Sequence, residues 1–189
     1  MTRSPVSSSV WILLVGFVVV PAATAFGEAR PSRLTVEDRA TLRHYAVDTW
    51  KAMEKLAFPS GLPSDRVHRD GEGWREPVAE TTPTNIAAYI WSVMAAERLE
   101  IISPDDARAR LTRTMQTLEA MNRPHGFFVN DIDPRDGKRL AASPVDSSPR
   151  RPLISTVDNA WMAMALMMVA NTRSDLAPNA ERLLEAMDF

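Results

Sequence analysis

From Thr35 onward, apolar residues recur at helical spacing in blocks separated by capping and turn residues. Thr35-Val-Glu-Asp38 reads as a capping box, because a Thr oxygen can take up a free N–H of the first turn. Leu42, Ala46, Trp50, Met53 and Leu56 then form one stripe, with Arg43, Asp48, Lys51 and Glu54 on the other side, and Phe58-Pro59-Ser60-Gly61 ends the helix. A second helix opens at Thr82-Pro83-Thr84 and stays uncharged until Glu97. Ser103-Pro104-Asp105-Asp106 starts a third, with acids at the positive helix end and a stripe of Leu111, Met115, Leu118 and Met121. A fourth opens at Ser155-Thr156-Val157-Asp158 and meets no further charge until Arg173. The fifth, from about Asn179 to Met187, is amphipathic through Leu183, Leu184 and Met187.

The order is therefore amphipathic, apolar, amphipathic, apolar, amphipathic. A helix that is apolar all round needs burial on every side, whereas a single stripe marks a surface helix. Alternation of the two kinds suits a two-layer ring of helical hairpins; an ordinary bundle with one or two central helices is the other solution. Between helices three and four, Gly126-Phe-Phe-Val-Asn130, a turn at Asp133-Pro134-Arg135-Asp136-Gly137 and Lys138-Arg-Leu140 predict a small β-hairpin. Residues 143–152, rich in Pro and Ser, read as an exposed, protease-sensitive loop.

The N-terminus changes the domain picture. Arg3, the apolar run Val10–Val20 and the small-x-small pattern Ala23-Thr24-Ala25 describe a secretory signal peptide over residues 1–25. The apolar run is shorter than the roughly 20 residues of a membrane span. Residues 26–189 would then be the exported, periplasmic or secreted chain, with no membrane attachment after cleavage. The 189 residues include no cysteine, which excludes a disulfide scaffold, a Cys-ligated metal and a thiol nucleophile. A net charge of -2 argues against a general nucleic-acid binder.

Candidate chemistry lies at the segment junctions. No Gly-rich phosphate loop or paired-His motif occurs, and His44, His68 and His125 are scattered. Asp131-x-Asp133-x-x-Asp136-Gly137 departs from a calcium loop, since its third acid is one place late and position 142 is Ala. Neither a metal nor a cofactor is expected. Glu80 and Asn85 flank the start of apolar helix two, Asp131 follows Asn130 in the hairpin, and Asp158 and Asn159 begin apolar helix four. Trp74 lies in the Gly-flanked loop before helix two, and Trp161 one turn into helix four. In a ring these loops would converge on one mouth. Indoles suit the apolar faces of sugars, amides their hydroxyls, and glycosidic bonds break between two carboxyl groups. Each residue also has a plainer role: Asp158 as a helix cap, Asp133 and Asp136 as turn formers, Trp161 as core.

Thr82-Pro-Thr-Asn-Ile86, Gly126-Phe-Phe-Val-Asn130 and Ser155-Thr-Val-Asp-Asn159, in this order, resemble the glycoamylase-like family. That family includes a domain of cyclic β-1,2-glucan synthases and is similar to the secreted endo-β-1,2-glucanases. Ser60-Gly-Leu-Pro-Ser-Asp65 and Met187-Asp-Phe189 look like further family segments. The resemblance implies an all-α fold, an (α/α)6 toroid around a glycan cavity, here an incomplete ring of about five helices with one small β-hairpin. It implies that residues 26–189 match the N-terminal part of such a domain and that the family pattern continues beyond. Asp158 would be the catalytic or substrate-positioning acid, with Asp131 or Glu80 as second carboxyl. Trp74 and Trp161 would stack on sugar rings, and Asn85, Asn130 and Asn159 would bind hydroxyls. Ala160, where the family often has Gly, and the long 143–152 loop depart from the pattern. The expected function is that of a glycoside hydrolase-like protein acting on a glucan, against the alternative of a non-catalytic partial toroid that binds glycan or a partner.

Overall fold

The computed structural model describes residues 34–71 and 73–188. The signal peptide expected over residues 1–25 lies outside them. Four helices start where a Ser or Thr side chain accepts the N–H three residues on: Thr35 from Asp38, Thr82 from Asn85, Ser103 from Asp106 and Ser155 from Asp158. These caps set α1 (Val36–Leu56), α2 (Pro83–Arg98), α3 (Pro104–Ala120) and α4 (Thr156–Thr172). The fifth helix, α5 (Ala177–Glu185), begins two residues ahead of the expected Asn179 because Pro178 sits in its first turn.

α2 packs against α1, α3 and α4, while α4 packs against α2 and α5, and α3 also meets α5. The two most apolar helices thus lie side by side, and the amphipathic ones line their other flank. Tyr89, Ile90, Leu111, Met115, Leu118, Met162, Leu166 and Leu183 are fully buried between these layers, together with Phe128 and Ile132 from the α3–α4 connection. Side chains of this size contribute about 1.5–3 kcal/mol each on burial. Ion pairs join the layers at their rims. Arg110 of α3 lies 5.2 Å over the Trp50 ring and pairs with Glu54 of α1 at 2.5 Å. Arg182 of α5 reaches Glu119 of α3 at 2.6 Å.

One expectation is corrected. The stripe of α1 is buried only toward its C-terminal half: Trp50 is 6% exposed, whereas Leu42 is 50% exposed. As expected of an inner helix in an incomplete ring, α4 is not covered on every side. Val157, Trp161, Met164, Met167 and Met168 are all exposed, Trp161 at the border with Trp91 of α2.

The small hairpin also falls elsewhere. The paired strands are β1 (Arg69–Asp70) and β2 (Gly73–Trp74), with Arg69 opposite Trp74. Gly126 instead closes a 3-10 turn, and the segment after it makes isolated bridges, Ile132 to both Thr81 and Arg139. A longer ladder does not form because the Asn130 N–H goes to Leu153 O at 2.8 Å and Ile132 is shared between Thr81 and Arg139. Among the described residues no helix is long and apolar enough to cross a membrane.

Candidate functional site

The N-terminal ends of α2 and α4 open side by side, and the 126–132 segment lies across them. Asp158 is the third residue of α4, a position fixed by the Ser155 cap, whose Oγ accepts the Asp158 N–H at 3.2 Å. Both oxygens of its carboxyl are held from neighbouring segments. Thr84 Oγ1 donates to Oδ1 at 2.9 Å, and Asn130 Nδ2 donates to Oδ2. Asn130 is itself pinned, because its Oδ1 accepts the Ser155 N–H at 3.3 Å and its N–H donates to Leu153 O at 2.8 Å. Asp158 therefore does more than cap its own helix: it ties α4, α2 and the connecting segment at one point.

Asn159 stands behind this point. It is fully buried, and its side chain reads the Phe128 backbone in both directions: Oδ1 accepts the Phe128 N–H and Nδ2 donates to Phe128 O, each at 2.9 Å. It supports the mouth from the inside, where the sequence placed it at the sugar. Asn85, one residue past Thr84, donates through Nδ2 to Asp65 Oδ1. The N–H of Asp65 in turn donates to Glu80 O at 2.7 Å.

The other two candidate carboxylates differ in their surroundings. Glu80 is 3% exposed, and Arg66 and Arg150 occupy its oxygens at 3.2 and 2.9 Å. Asp131 is partly exposed, with Arg150 Nε 3.7 Å from its Oδ1. Its backbone has a φ of 56°, in the left-handed region that a non-glycine residue enters at a cost, and Asp is among the more tolerant there. The two acids that follow serve the turn: the Arg135 guanidinium beside Asp133 and the Lys138 ammonium beside Asp136 hold both carboxyls below the usual range. Among the described residues no group of three or more His, Cys, Asp or Glu could hold a metal ion.

Trp161 lies one turn below Asp158 and is 41% exposed. Its ring meets Trp91 of α2 edge to face, with centroids 5.3 Å apart and planes at 74°. Trp74 is exposed on β2, in a hairpin rooted where Val78 N–H donates to Arg66 O at 3.0 Å. Sequence reasoning did not single out Thr84, Asp65, Arg66, Trp91 or Arg150. Thr84 and Asp65 lie inside family-like segments, a signal that could have raised them. The two arginines are far from Glu80 in sequence and carried no such signal.

Paired apolar helices opening on a shared polar mouth, with amphipathic helices outside them, make this an arc of a glycoamylase-like helical toroid. The chain belongs to the DUF3131 family, described as a protein of unknown function, whose pattern covers residues 44–189. No curated protein matches it. It is similar to the endo-β-1,2-glucanase of Chitinophaga pinensis solved with sophorotriose and glucose: TM-score 0.65, 19% identity, 79% of this chain and 37% of that one. It is also similar to candidate glucoamylases from Bacteroides fragilis NCTC 9343 (TM-score 0.60, 19% identity, 82% and 36%) and Bacteroides uniformis ATCC 8492 (0.56, 17%, 82% and 35%). At these identities the likeness is one of fold. The chain spans little more than a third of the length of each of these structures.

Proposed function

We propose that this chain carries part of the site of an exported glycoside hydrolase acting on a glucan, with β-1,2-linked glucan as the first substrate to try. The observation that carries the reading is the placement of Asp158. It sits at the mouth where two largely apolar helices open, fixed by donors from two other segments, with an exposed indole one turn below. A carboxyl held against rotation next to an apolar platform suits general acid or base work on a sugar. Asp131 is our choice for the second carboxyl within the chain, because two arginines already occupy Glu80. Trp161 and Trp74 serve as stacking surfaces, Asn85 and Asn130 as hydroxyl partners, and Asn159 as support.

Release of reducing ends from linear β-1,2-glucan tests the reading, with β-1,3- and β-1,4-glucans as comparison. Asp158→Asn is expected to lower the rate about 10²-fold, the typical share of a general acid or base. Glucan binding with no Asp158-dependent release would sink the hydrolase. It would favour the second reading, a non-catalytic binding arc, for which the exposed Val157, Trp161, Met164 and Met168 face speaks.

The export part rests on Arg3, the Val10–Val20 run and Ala23-Thr24-Ala25. Intact-mass analysis of the exported protein is expected to find a chain beginning at Phe26. A chain retaining Met1–Ala25 outside the cytoplasm would contradict cleavage.

A further inference from the structure

Residues 131–140 and 141–150 are two copies of one ten-residue turn. Asp133-Pro134 and Ser143-Pro144 stand at matching places, as do Asp136 and Asp146. In each copy the first polar side chain accepts the N–H two residues on: Asp133 from Arg135 at 2.9 Å, Ser143 from Val145 at 3.2 Å. Asp136 and Asp146 do the same for Lys138 and Ser148, both at 3.0 Å. Gly137 and Ser147 share a positive φ of 75° and 60°. The ends close alike, with Leu140 N–H on Asp131 O at 2.7 Å and Arg150 N–H on Ala141 O at 2.9 Å.

The second copy differs in what stands at its last place. Leu140 closes the first turn, and Arg150 closes the second. The Arg150 guanidinium spans two carboxylates, with Nη2 2.9 Å from Glu80 Oε1 and Nε 3.7 Å from Asp131 Oδ1. Its Nε is buried and donates no hydrogen bond as it stands. Glu80 is the fixed end of this bridge, since Arg66 holds its other oxygen. Asp131 is the more exposed end, next in sequence to the Asn130 that grips Asp158.

We propose that Arg150 is a positioning residue for Asp131. Glu80 and Arg66 lock one end of the guanidinium, and its Nε sets the direction of the Asp131 carboxylate at the mouth. The duplicated turn is the device that brings this cation in. The inference rests on the reading of the mouth as a glucan site. A planar guanidinium can serve two carboxylates at once, whereas a lysine ammonium is a point charge that cannot span both.

Calorimetric titration of the full chain with sophorotriose tests this. Arg150→Ala and Asp131→Asn are each expected to weaken binding about tenfold, and the double variant no more than either alone, because coupled residues do not add. Arg150→Lys should fail to restore affinity even where it restores the melting temperature. Additive losses, or wild-type affinity in Arg150→Ala, overturn the positioning role and leave the glucan site standing. Rescue by Arg150→Lys overturns it too, by reducing Arg150 to a charge. Failure of the unaltered chain to bind sophorotriose overturns the glucan reading, and the positioning role falls with it.

Discussion

Gly126→Ala is expected to be the most damaging glycine-to-alanine change among the described residues. Gly126 has a φ of +79°, and a Cβ built on it would lie 1.5 Å from the Ala186 carbonyl oxygen and 2.2 Å from its carbon. Both are backbone atoms, so no side chain can rotate away. The end of α5 would have to move, and with it the buried Leu183 and Met187. Overpacking of this kind, added to the left-handed backbone, should cost about 4–5 kcal/mol. At a few degrees per kcal/mol for a chain of this size, the melting temperature should fall by about 10–18 °C. Gly71→Ala is the matched control: its φ is +58°, but a Cβ there meets nothing within 4 Å. It should cost only the backbone penalty, about 1 kcal/mol. Equal melting temperatures for the two variants would show that α5 does not close on Gly126 in solution.

The next largest effect is expected at Asn159. Replacement by leucine keeps the volume but leaves the Phe128 N–H and carbonyl without their partners in a fully buried place. Each orphaned group costs about 1–3 kcal/mol, so a loss of about 3–4 kcal/mol is expected. Thermal melts should place Asn159→Leu well below Asn85→Leu, whose amide meets Asp65 at a partly exposed site, a pairing worth about 1 kcal/mol or less. If Asn159 instead met the sugar and did not support the mouth, Asn159→Leu would melt like the wild type and lose only glucan binding.

Helix starts were legible because they are local. Thr35, Thr82, Ser103 and Ser155 act on an N–H three residues away, so neither packing nor partner is needed to place them. The pairing of α2 with α4 was legible for a related reason: a helix that is apolar along most of its length has few places to go. The bond between Asp158 and Thr84, which closes the mouth, was not, since the two residues are 74 apart in sequence. The same holds for Arg150 and Glu80, 70 apart. The paired strands fell at Arg69–Trp74, while the expected Asp133-Pro-Arg-Asp-Gly137 turn closes with a single bridge, because both Gly-containing segments send similar local signals.

By itself, then, the sequence determined the five helices, their order and which two are mostly apolar, since caps, prolines and 3.6-residue periodicity act within a few turns. Tertiary structure decided which side chains meet. It took Asn159 off the mouth and into the core, turned Glu80 into the fixed end of an arginine bridge and left one face of α4 uncovered. These outcomes depend on distances between segments far apart in the chain. Only packing sets those distances, because the desolvation cost of a buried polar group is met by whatever partner the fold brings near.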